Sequence, residues 1–178
     1  MIKQFTLSLT LILLGALDVT PQSPKRIPAK VQQGIVQQMI RDGEIKSSCV
    51  QEEGGESKVV DITAVDLNSD GKPEYEVYGR GCACNGMRRC DQWLYRQTAN
   101  AYELMLGPLQ VDGFDVKKTR TNGFSDIAIA NPAGNDYFVT LYKYDGRHYQ
   151  ARECQDCVYI GGRRGSHTHN CKRVKCPQ

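Results

Sequence analysis

Nine residues, Asp66-Leu67-Asn68-Ser69-Asp70-Gly71-Lys72-Pro73-Glu74, place three carboxylates and an amide in a tight turn. Period-two alternation lies on both sides. Before the stretch, Val60, Ile62 and Ala64 alternate with Asp61, Thr63 and Val65; after it comes Tyr75-Glu76-Val77-Tyr78. Alternation at that period marks strands, so the chain is a strand-loop-strand unit here. The rest of the fold has to be built around that unit.

Short oxygen-bearing side chains on alternate loop residues can converge on a hard cation such as calcium. Asp66, Asn68 and Asp70 stand at positions one, three and five, and Gly71 at position six permits the turn that aims the Lys72 carbonyl inward. An EF-hand would need a bidentate Glu at position twelve, where Val77 stands. Glu74, at position nine, supplies the carboxylate earlier and suits a site between strands. The expected ligands are therefore Asp66, Asn68, Asp70, the Lys72 carbonyl and Glu74, with calcium as cofactor. The competing reading is an Asx-rich turn that binds nothing, since Asp, Asn and Gly favour turns in any case.

With strands on either side, this D-x-N-x-D-G-x-x-E run resembles the calcium loops of FG-GAP and VCBS-type repeats. Residues 66–150 are also similar to secreted bacterial proteins that combine such a loop with three further elements. Here those elements are Trp93-Leu94-Tyr95-Arg96, Thr119 to Ile127 and Tyr142 to Tyr149. The resemblance implies a fold and no activity. From Phe114 a degraded second copy of the loop is discernible, with Gly123 under Gly71 and Asp126 under Glu74. Lys118 and Arg120 then replace Asp66 and Asn68, so a salt bridge is expected where the first copy has an ion.

The cysteines constrain the two ends. Lys3 precedes an apolar run from Phe5 to Ala16 that is too short to span a bilayer, and residues 1–16 read as a secretory signal peptide. A Pro-rich linker, 17–28, follows. Export to an oxidising space, secreted or periplasmic, turns eight cysteines into four disulfides. They fall into Cys49, Cys82, Cys84, Cys90 and Cys154, Cys157, Cys171, Cys176. Cys82 and Cys84 are too close to pair without strain, and of the pairings that remain the expected one is Cys84 with Cys90 and Cys49 with Cys82. In the second group nested and crossed pairings both remain open.

Between the ends, Val31, Ile35 and Met39 recur at helical spacing from Ala29 to Asp42, started by Pro28 and stopped by Gly43. Gln92–Arg96 and Tyr102–Leu106 form one hairpin, and Tyr137–Tyr144 with His148–Gln150 another. The expected fold is mainly β, within the α+β class: antiparallel meanders and hairpins packed by one N-terminal helix and held by disulfides. The domain comprises residues 29–153, and a cysteine-rich basic tail spans 154–178. Trp93 reads as a core anchor.

That tail carries Arg163, Arg164, Lys172, Arg173 and Lys175, a candidate polyanion-binding set. Cys154, Cys157, His167, His169, Cys171 and Cys176 could ligate zinc in a reducing compartment, but export favours disulfides. A net charge of +3 is too small to point to nucleic acid. Neither G-x-S-x-G nor H-E-x-x-H occurs, and no catalytic residue is assigned. The expectation is a non-catalytic binding or interaction module whose partner is a protein or a cell-surface polyanion, with no membrane span once the signal is removed. The alternatives are a polyanion binder acting through the tail and a secreted hydrolase or hydrolase inhibitor.

Overall fold

Two antiparallel meanders, consecutive in the chain, make up most of the molecule. The structure, a computed structural model, describes residues 27–84, 90–111, 113–133, 136–161 and 168–177. The expected signal peptide and residues 17–26 of the linker lie outside the described residues. Among the described residues no helix is long and apolar enough to cross a membrane.

The first sheet has the order β1 (Val60–Val65), β2 (Glu74–Gly79), β3 (Gln92–Gln97) and β4 (Tyr102–Leu109). The second has β5 (Asp115–Thr121), β6 (Phe124–Ala133), β7 (Asp136–Tyr144), β8 (Tyr149–Gly161) and β9 (Thr168–Val174). The mainly β, disulfide-bonded class read from the sequence is thus the observed one. Helix α1 spans Ala29–Asp42, the expected bounds, and Gly43 takes a left-handed φ of 78° as its amide bonds back to Ile40 O. Two short helices, α2 (Ser47–Glu52) and α3 (Glu56–Val59), add to the single helix expected. Neither carries two full turns of apolar periodicity, so their sequences gave no signal.

The first sheet is the middle layer. Alternation turns Tyr75, Val77, Trp93 and Tyr95 to one side, where they form a core with Ile35, Val36 and Met39 of α1. Leu94 and Leu106 point the other way, into a second core with Leu67, Ile127, Ile129 and Tyr149. Gly34 is required in α1, because a Cβ there would lie 2.5 Å from the Tyr102 ring. Trp93 is 1% exposed and donates its indole N–H to Glu44 at 2.8 Å, an anchor as expected.

The meanders repeat one another in register. Tyr75↔Tyr95, Glu76↔Leu94 and Val77↔Trp93 recur as Ile127↔Tyr142, Ala128↔Leu141 and Ile129↔Thr140. Likewise Gln97↔Tyr102 recurs as Tyr144↔Tyr149. The turn bond from Thr98 N–H to Ala101 O reappears from Asp145 N–H to His148 O, both at 2.9 Å. The first two connections differ: twelve residues join β2 to β3 against two between β6 and β7, and eight join β1 to β2, whereas Asn122-Gly123 alone joins β5 to β6. That pair turns with φ of 49° and 85°, as a tight hairpin demands.

Disulfides close both ends. Cys49–Cys82 and Cys84–Cys90 form as expected, and the second group is nested, Cys154–Cys176 outside Cys157–Cys171. The tail expected from residue 154 does not stand apart. β8 runs across that position, and β9 pairs with it from Cys154↔Val174 to Gly161↔Thr168. Cysteines and histidines had masked the alternation of this hairpin.

Candidate functional site

The β1–β2 loop is built from its own side chains. Asp66 Oδ1 accepts from Ser69 N–H at 2.6 Å and Oδ2 from Gly71 N–H at 3.2 Å. Asn68 Oδ1 accepts from Asp70 N–H at 2.9 Å, and Asp70 Oδ1 from Lys72 N–H at 2.7 Å. Ser69 and Gly71 both take left-handed φ, 60° and 80°. For Ser69 that conformation is uncommon, and the bond from its amide to Asp66 compensates.

Glu74 occupies the head of β2. It is 4% exposed and accepts from Leu67 N–H at 2.8 Å. Burial raises its pKa above the usual carboxylate range, and the nearby charges of Asp70 and Asp66 push in the same direction. The bond from Leu67 N–H offsets part of that.

Leu67 is the loop's apolar foot, 1% exposed in the core between the sheets. Its carbonyl accepts from Ser125 N–H at 2.8 Å, and the Ser125 carbonyl accepts from the buried Tyr149 hydroxyl at 2.7 Å. Asp126, the counterpart of Glu74, accepts from Thr121 Oγ1 at 2.7 Å. The salt bridge expected within the second copy is replaced by a contact across the sheets. Arg120 reaches the first loop, bonding the Asn68 carbonyl and Ser69 Oγ.

Four of the five expected metal ligands thus lie in one loop, and the fifth, Glu74, is the first residue of β2. In this geometry, however, no three His, Cys, Asp or Glu side chains are grouped to hold a metal ion among the described residues. The donor chemistry still suits a hard cation. Each carboxylate oxygen has two lone pairs, so a bond to a loop amide leaves one over.

Beside the loop lies a cleft of about 720 Å³, which the sequence did not reveal because its walls come from distant segments. Asp70, Lys72 and Glu74 face Arg96 and Gln97 at the end of β3 and Thr98 of the β3–β4 turn, with Phe124 from the second sheet. Arg96 is fixed: Nε and Nη2 donate to Glu103 Oε2 at 2.9 and 2.6 Å, and Nη1 to the Tyr144 hydroxyl at 2.5 Å. That pairing holds the Glu103 carboxyl below its usual pKa, with Arg147 helping from 3.3 Å.

Of the basic set, Lys172 and Arg173 lie on the edge strand β9 and Lys175 just past it, all exposed. Arg173 sits 3.8 Å from Glu153, and Lys172 stands opposite Asp156. Arg163, Arg164 and His167 lie outside the described residues. His169 packs between the rings of Tyr137 and Tyr159, at 4.6 and 5.6 Å. Every cysteine is paired, which leaves no thiolate for zinc. No protein-family model matches the chain, nor does any curated protein or solved structure.

Proposed function

We propose that this chain is an exported, non-catalytic binding module whose β1–β2 loop takes up calcium as a structural brace. The observation that carries the reading is Glu74, a buried carboxylate whose pKa is raised by burial and by the charges of Asp66 and Asp70. Three carboxylates in one short loop repel one another, and a divalent cation between them would turn that repulsion into attraction. Asp66, Asn68, Asp70, the Lys72 carbonyl and Glu74 would hold the ion. Calcium at ten times its dissociation constant would add about 1.4 kcal/mol of stability. Four disulfides favour an oxidising compartment, hence secretion or the periplasm.

The test is a thermal melt with calcium and with chelator. The melting temperature should rise with calcium, and the Asp66→Ala/Asp70→Ala variant should not respond. A wild-type melt indifferent to calcium would end the reading.

A second reading has its own observation, the exposure of Lys172, Arg173 and Lys175 along one sheet edge. Such a row can attract a cell-surface polyanion. Retention on heparin-agarose should then fall with salt and with Lys172→Ala/Lys175→Ala. Retention unchanged by that pair would remove the edge from consideration.

A further inference from the structure

The cleft beside the loop has the size and chemistry of a ligand site. We propose that it binds a neutral saccharide, a segment of an uncharged glycan chain. The proposal rests on the binding-module reading above but not on its metal.

Volume comes first: about 720 Å³ lies inside the roughly 300–1,000 Å³ typical of small-ligand sites. Charge then selects among ligands. The walls hold two anions, Asp70 and Glu74, and two cations, Lys72 and Arg96. A polyanion would meet the carboxylates and a polycation the lysine and arginine. Hydroxyl groups both donate and accept, so a sugar can pair with either kind of wall.

Two further features point the same way. Arg96 is fixed in place by Glu103 and Tyr144, and those bonds use three of the five donors a guanidinium carries. Two donors are unused by these bonds on a side chain that lines the cleft and is already held in place, which lowers the cost of binding. Phe124, half-buried and tilted against Tyr144 at 4.3 Å, offers an apolar ring to the C–H face of a pyranose. A peptide fits less well, because extended peptides add to unpaired strand edges. This cleft lies instead at the turn of β3 and β4, and β3 is paired on both sides.

Titration calorimetry on the intact exported protein tests the idea, with maltohexaose, cellohexaose and chitohexaose as probes and a heparin hexasaccharide as the charged comparison. Each titration is run in calcium and in chelator. At least one neutral hexasaccharide should bind. Gln97→Ala/Phe124→Leu should weaken it about tenfold, with Lys46→Ala, which shares no wall with the cleft, leaving it unchanged. Three results would overturn the proposal: no neutral sugar bound by folded protein, binding indifferent to the double variant, or heparin preferred over all three. Heparin preference would leave the module reading standing. Saccharide binding in a protein whose melt ignores calcium would remove the metal and leave the cleft.

Discussion

Arg120 donates from Nη1 to the Asn68 carbonyl at 3.0 Å and from Nη2 to Ser69 Oγ at 2.5 Å, so the second sheet clasps the loop of the first. The clasp lies at the surface and joins a cation to two neutral acceptors. Arg120→Ala should therefore cost about 1 kcal/mol in urea denaturation. It should also tighten calcium binding, since a positive charge beside the loop opposes a second one. Unchanged stability together with weaker calcium binding would show that the clasp is incidental.

Glu103 should shape the acid limb of the stability curve. Arg96 holds its carboxyl below the usual 4.5. The folded state therefore binds fewer protons than the unfolded one, and the stabilisation is present above about pH 4.5 and is lost as pH falls through the depressed value. Between about pH 5 and pH 3 the wild type should lose roughly 0.5–1 kcal/mol more than Glu103→Gln, a modest figure for a pair at the surface. Parallel curves for the two proteins would contradict the assignment.

Trp93 is the only tryptophan and is 1% exposed. Its emission should be blue-shifted in the native protein and move to the red on unfolding. Trp93→Phe removes packing volume and the bond to Glu44, and should cost about 2–3 kcal/mol by chemical denaturation. A loss under about 0.5 kcal/mol would mean the site collapses around the smaller ring.

The nested pairing can be read by mass spectrometry of unreduced peptides. Cys154 should be linked to Cys176, and Cys157 to Cys171. Cys157→Ser/Cys171→Ser opens a closure of separation 14, and should cost about 3 kcal/mol. Linkage of Cys154 to Cys171 would refute the nesting.

What the sequence made legible was local. Pro28 and Gly43 marked the ends of α1, alternation marked the strands beside the loop, and the hairpin of Tyr137–Tyr144 with His148–Gln150 marked β7 and the start of β8. The closeness of Cys82 and Cys84 excluded a bond between them, and the expected pairing of Cys49 with Cys82 is the one observed. What escaped was non-local or too short to be periodic. Helices α2 and α3 carry too few apolar residues to register, and β9 hides its alternation among cysteines and histidines. The cleft needed Arg96 and Phe124 brought against Asp70 by the stacking of the sheets, which spacing along the chain cannot express. Asp126 was matched to Glu74 correctly, yet the cation above it, Arg120, serves the other loop.

Leu67 has its side chain in the core between the layers, while its carbonyl accepts from Ser125 and its amide donates to Glu74. One residue thus rivets the β1–β2 loop to both sheets. Anything that loosens the loop, whether acid or mechanical pull, should act first on the seam between the sheets and only later on the ladders within them. Hydrogen exchange at the Ser125 amide should accordingly rise before that of the β3 and β7 interiors, making this seam the fuse of the molecule.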